Sequence, residues 1–292
     1  MSGFGDDEVD RPSLPFPGEP PSQPQSSPAD QVPAPMPGPV LVPQLPARVP
    51  PENPPWSLWD VLAIALVAFG AIFLLELLGT LLAERIYHLS AEGLARNPKL
   101  LVPAEFFAYV VTLSFMAAIV RSRGLPFWKT VSWKPVKGAL MYPILGVLLA
   151  FAVGLATLVL PIPKELPIEK SFADTLGTWL LAIFGVTVAP LMEELFFRGF
   201  LYPALARPLG IRWSVAITSM LFALIHSSQL ADAWAPLLLL FLVGLILTTA
   251  RVRTGSVFPG FLIHSAYNFT LFTELFFQTG HFHNFDKIGL IH

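Results

Sequence analysis

Residues 176–201 read LGTWLLAIFGVTVAPLMEELFFRGFL. A helix needs about 20 predominantly apolar residues to cross the hydrocarbon core of a bilayer. This stretch supplies them with only three charged side chains, Glu193, Glu194 and Arg198. A charge inside a membrane is costly and marks function by default. One segment therefore predicts both the solvent of the fold and the place where its chemistry sits.

The rest of the chain agrees with that segment. Of 292 residues, 54% are hydrophobic and only 13% charged, where a soluble domain carries roughly a quarter. Mean hydropathy is +0.62. So much apolar surface cannot be hidden from water by a chain of this size. The expected fold is all-α, a polytopic membrane bundle of about seven helices on the 20-residue scale. They fall near 58–83, 101–120, 138–160, 176–201, 213–229, 235–250 and 256–277, and an eighth would require dividing one of the longer segments. Trp56 and Trp59 open the first, as expected of aromatics at a membrane interface.

Helical geometry separates the two adjacent acids. Side chains at i and i+4 share a face, while neighbours point about 100° apart. Glu194 is therefore stacked on Arg198 in the favoured order, and Glu193 points elsewhere without a local cation. An isolated buried carboxylate suits a general base. The fifth segment carries Phe222 and His226 on one face, and the seventh carries His264 and Asn268 one turn apart. Three spans thus offer polar groups to a common cavity. At about 1.5 Å per residue, Glu193 and His264 lie about 12 Å from the inner ends of their spans and His226 about 20 Å. Tilt, or a kink at Pro190, would have to absorb the difference.

Each element also has a plainer reading. His226 alone is a helix–helix hydrogen-bonding residue, His264 with Asn268 interhelical glue, and Glu193, Glu194 and Arg198 a structural ion network. Glu76 and Glu105 are read as packing or interface residues. His281, His283 and His292 fall in a polar C-terminal tail over 281–292 and are read as a chance cluster.

Residues 1–55 hold 17 of the 30 prolines and seven acids against two arginines. Such a segment cannot bury enough apolar surface to offset its ordering entropy, so it is expected to be a disordered acidic tail before the membrane domain at 56–280. Basic residues set orientation. Arg121, Arg123, Lys129, Lys134 and Lys137 follow the second span, Arg207 and Arg212 the fourth, and Arg251 and Arg253 the sixth. Only Lys164 and Lys170 serve the loops between. This alternation predicts a cytoplasmic N-terminus and an external C-terminus, and the expected location is the cytoplasmic (plasma) membrane. Arg85, Arg96 and Lys99 disagree, partly offset by Glu84 and Glu92. A net charge of −2 gives no electrostatic case for nucleic acid, and a chain without cysteine has no thiol chemistry or thiolate-bound zinc.

The ordered set EExxxR (Glu193, Glu194, Arg198), FxxxH (Phe222, His226) and HxxxN (His264, Asn268) resembles the CPBP family. That group contains the Rce1-type CAAX prenyl endopeptidases and bacterial relatives often linked to bacteriocin immunity. The resemblance covers roughly residues 176–278. It implies an intramembrane endopeptidase in which Glu193, assisted by His226, activates water. Glu194 and Arg198 would order the site, and His264 with Asn268 would stabilise the oxyanion. The implied partners are the bilayer and a peptide or protein substrate, lipidated or not. The cofactor is none or zinc. Glu193, His226 and His264 are the available zinc ligands, HExxH spacing is absent, and the metal-free glutamate mechanism is the favoured one. The alternative from another class is a non-catalytic immunity or scaffold protein. A proton-relay transporter is disfavoured because no repeat of broken helices relates the two halves.

Overall fold

The computed structural model describes Gly18 and residues 52–87, 97–163, 166–172 and 174–285. Apart from Gly18, the proline-rich tail up to Pro51 lies outside the described residues, as do Glu92, Arg96, Lys164 and His292. Among those described, the regular elements are helical. Helix α1 spans Leu58–Tyr87, α2 Pro98–Arg121, α3 Met141–Thr157 and α4 Thr175–Val186. Then α5, Val188–Glu194, runs into a π-helical turn, Leu195–Leu201. Helix α6 is Tyr202–Leu224, α7 Trp234–Thr254 and α8 Phe258–Gln278. A one-turn helix, Phe127–Thr130, and 3-10 turns at Pro167–Ser171 and Ser227–Leu230 join them.

All seven expected segments fall on helices. By length and composition, four stretches are long and apolar enough to cross a membrane: Leu58–Ile86, Pro98–Arg121, Thr175–Leu224 and Trp234–Thr254. Helix α3 is apolar but shorter, and α8 carries His264, Asn268, Glu274 and Gln278. Large apolar side chains point outward along the first helix, among them Leu62, Leu66, Phe69 and Phe73. That is the surface of a bundle whose solvent is lipid.

The fourth and fifth segments differ from expectation in how they meet. Helix continues past Leu201, and the chain turns back at Gly210 (φ 75°, ψ 169°), a backbone conformation essentially reserved for glycine. The Arg198 guanidinium lies 4.5 Å from the Phe222 ring centroid. A straight helix would hold those residues about 36 Å apart, so the two arms are antiparallel. Glu194 stands 16 residues before Gly210 and His226 16 residues after it. The mismatch in depth between Glu193 and His226 came from placing the inner ends of their spans at 201 and 213, and it disappears when both are measured from the reversal at Gly210. The fifth span is also shorter than expected. Its helix stops at Leu224, and His226 occupies the turn that follows, with φ −95° and ψ 3°.

The kink expected at Pro190 appears one turn earlier. Proline has no N–H for the carbonyl four residues back, and its ring collides with that carbonyl. Residue 186 is the carbonyl in question, and α4 ends at Val186, with Thr187 at φ −117° and ψ −68°.

Small residues bring the site helices together. A Cβ on Gly244 of α7 would lie 3.1 Å from the Cα of Ser219 on α6, and one on Gly146 of α3 would collide with the α8 backbone at Ile263. Such contacts let backbones approach where no hydrophobic drive between helices exists.

The two ends of the bundle carry different ion pairs. At one end Arg123 pairs with Asp60 at 2.9 Å, and buried Arg251 pairs with Glu52 at 2.8 Å. Lys134 accepts from Ser256 through its carbonyl at 2.6 Å. The basic loops therefore gather at the start of α1. At the other end Lys99 pairs with Asp174 at 3.0 Å, which neutralises one of the residues that disagreed with the charge alternation.

Three residues sit differently from their expected places. Trp56 is 2% exposed rather than interfacial. Its indole N–H donates to the Phe200 carbonyl at 3.0 Å, and the two rings lie 4.4 Å apart. Trp59, by contrast, is 80% exposed. Glu52, placed in the tail, makes the Arg251 bridge just described. Phe282, placed in the polar C-terminal tail, is buried against Trp179 and Phe276.

Candidate active site

The centre of the site is a carboxylate with two partners on one oxygen. Glu194 Oε1 accepts from Arg198 Nη1 at 2.8 Å and lies 3.1 Å from His264 Nδ1. Both Glu194 and Arg198 are fully buried. The i, i+4 spacing brings the pair together at the start of the π turn, a helix form often found at functional sites. Arg198 also donates from Nε to Thr248 Oγ1 and from Nη2 to the Gly244 carbonyl, each at 3.3 Å. Phe222 and Phe197 flank its guanidinium at 4.5 and 5.7 Å. A charge removed from water needs such a shell, because an unpaired buried ion costs several kcal/mol. Thr248 and Gly244, both on α7, complete a cage that spans α5, the π turn, α6 and α7.

His264 connects the two acids. With Nδ1 toward Glu194, its Nε2 lies 3.9 Å from Glu193 Oε2. That carboxylate oxygen is buried with no hydrogen-bond partner among the described residues. The i, i+4 pairing expected of Glu194 with Arg198 is found. Glu194 belongs to the ion pair, and Glu193 faces an imidazole across a gap longer than a hydrogen bond. A water placed off the line between the two atoms would reach both at about 2.8 Å.

Phe222 separates the two histidines. Its ring centroid is 5.2 Å from that of His226 and 5.6 Å from that of His264. His226 Nδ1 is 2.9 Å from the Phe222 carbonyl, so Nδ1 carries the proton and Nε2 is the open nitrogen of the neutral ring. No described contact joins His226 to either acid. Asn268 donates from Nδ2 to the Gly185 carbonyl at 2.7 Å. This uses one amide hydrogen, leaves the second, and ties α8 to the last turn of α4 just before the Pro190 break.

These donors do not fit a zinc site. Among the described residues, no three His, Asp or Glu side chains gather closely enough to hold a metal ion. His264 is turned by Glu194, and His226 by its own backbone.

Several site residues were not legible as such. Gly260 sits against Glu194, and a Cβ there would lie 2.5 Å from Oε2. Its signal in the sequence is a glycine one turn before His264 on the same face. Thr248 and the Gly244 and Gly185 carbonyls have no motif at all. Glu105, read as a packing residue, and Tyr109 one turn further on α2 both lie within electrostatic range of Glu193.

Residues 175–270 match the family model described as type II CAAX prenyl endopeptidase Rce1-like, so this part of the chain is an Rce1-like domain. An uncharacterized 24.3 kDa protein of Escherichia coli is 40% identical over 106 residues, 36% of this chain and 46% of that protein. The match thus spans about half the length of that curated relative. No solved structure matches the chain. With its apolar helices, the chain is a polytopic membrane protein that carries an Rce1-like domain over residues 175–270.

Proposed function

We propose that the chain is an intramembrane endopeptidase that hydrolyses a peptide bond in or near the membrane. One observation carries this reading: two adjacent carboxylates are held in different states around one imidazole. Glu194 is neutralised by Arg198 at 2.8 Å, while Glu193 Oε2 has only His264 Nε2, at 3.9 Å. Glu193 is the group free to take a proton from water.

In this mechanism Glu193 removes a proton from a water held between itself and His264, and the resulting hydroxide adds to the scissile carbonyl. The negative charge moves onto the carbonyl oxygen. The second amide hydrogen of Asn268 donates to it, and the His264 imidazole faces it from Nε2. Preorganised donors in a dry site contribute several kcal/mol to such a transition state. Collapse breaks the C–N bond, and the proton on Glu193 passes to the leaving amine. His226, across the Phe222 ring from His264, offers its open Nε2 to the substrate. Glu194 orients His264, and Arg198 holds Glu194.

The substrate is a peptide or protein, lipidated or not, that reaches the site from the bilayer. The basic end of the bundle, with the start of α1, is assigned to the cytoplasm on the Lys and Arg distribution.

The test is a cleavage assay on purified protein in liposomes, using a panel of lipidated and unlipidated peptides with and without a chelator. Turnover of at least one peptide class is expected, it should survive chelation, and it should be absent in Glu193→Gln and His264→Ala. A folded, inserted wild type that cleaves no member of the panel would favour the non-catalytic immunity or scaffold role.

A further inference from the structure

Glu194 is pinned on one oxygen and crowded on the other. Oε1 is held by Arg198 and His264. Oε2 is buried and makes no hydrogen bond, yet it lies so near α8 that a Cβ on Gly260 would stand 2.5 Å from it and 3.3 Å from the carboxyl carbon. Carbon and oxygen cannot approach so closely, since optimal separations between heavy atoms are about 3.5–4.0 Å. A flexible acid would swing aside. This one cannot do so and keep both partners, because its side chain is fully buried and any swing withdraws Oε1 from Arg198 or His264. The position also suits charge, as residue 260 lies in the first turn of α8, where the helix dipole favours an anion.

We infer that Gly260 is a positioning residue of the site: the absence of its side chain lets the Glu194 carboxylate lie against the first turn of α8 and so reach Arg198 and His264 together. Gly260 acts through Glu194 on the orientation of His264 and touches no reacting atom. The inference concerns only that geometry and does not depend on whether the proposed hydrolysis is found.

The experiment is nitrogen NMR of histidine-labelled protein in lipid nanodiscs, with the His264 signal assigned by its loss in His264→Gln. In the wild type the Nδ1 resonance should show a strong hydrogen bond to a carboxylate. In Gly260→Ala it should move to the position of an imidazole without that bond, while the His226 signals stay in place. An unchanged His264 Nδ1 resonance in folded Gly260→Ala overturns the inference. A rescue covers the case in which Gly260→Ala does not fold. Shortening the acid in the same molecule, Gly260→Ala with Glu194→Asp, withdraws the carboxylate from the new Cβ and should restore folding. If the double variant is no better folded than Gly260→Ala alone, the crowding lies elsewhere and the assignment fails.

Discussion

His264 Nδ1 lies 3.1 Å from Glu194 Oε1, and these residues are 70 positions apart on α5 and α8. The contact joins two of the three polar motifs directly, and it uses an acid that Arg198 already holds. Its consequence is that the other imidazole nitrogen is aimed at Glu193, 3.9 Å away.

Replacing Glu193 with Gln should reduce peptide cleavage by about 10²–10⁴-fold, the usual contribution of a positioned base, with little change in thermal stability. Among the described residues Glu193 has no ion-pair partner other than His264, so its loss strands no arginine or lysine there. Rates in liposomes, set beside unfolding midpoints, separate the two effects. Retained turnover would end its assignment as the base.

Glu194→Gln should behave in the opposite way. It leaves Arg198, which is fully buried, without its countercharge, a change that costs about 3–5 kcal/mol when one partner of a buried pair is removed. A large drop in unfolding temperature is expected, and replacing Arg198 with Met in the same molecule should recover part of it. No gain from the second replacement would mean that the ion pair is not what stabilises the cage.

Gly210→Ala should destabilise the protein by about 1–3 kcal/mol, the cost of forcing a residue with a Cβ into this region of backbone space. Nothing lies within 4 Å of a Cβ at this position, so any loss is conformational rather than steric packing. Equilibrium unfolding in mixed micelles would measure it, and an unaltered midpoint would show that the reversal does not need φ 75°.

Asp174 gives a pH signature at the end of the bundle away from the basic loops. The Gly177 backbone N–H, which donates to it at 3.0 Å, holds its carboxyl below the usual 3.8, and the Lys99 ion pair adds to this. A depressed folded-state pKa contributes stability that is present above the unfolded value and is lost as pH falls through the folded one. Asp174→Asn should therefore be less stable than wild type near neutrality. The gap should close as the medium is acidified below about pH 4. Parallel melting curves of the two proteins across that range check the sign.

Local spacing made much of the site legible. The i, i+4 pairs Glu194–Arg198, Phe222–His226 and His264–Asn268 are each local to one stretch of chain, and the first appears in the structure as a 2.8 Å ion pair. Residues that reach the site through space left weaker traces or none. Thr248 is one threonine on an apolar helix until Arg198 donates to it. Gly260 is one glycine among 20 in the chain until Glu194 is found beside it. Trp56 carried the composition of an interface residue, and only the fold reveals that Phe200 takes its N–H.

Composition and helical periodicity by themselves determined that this chain lives in lipid, that it is built of helices, and which faces carry polar groups, because those are matters of solvent and of one chain winding on itself. The tertiary structure decided where the arms reverse, which acid is neutralised and which nitrogen of His264 meets which carboxylate. Those depend on a single glycine at positive φ, on small residues that let helices touch, and on distances of a few ångströms between segments far apart in the chain, which no local pattern encodes.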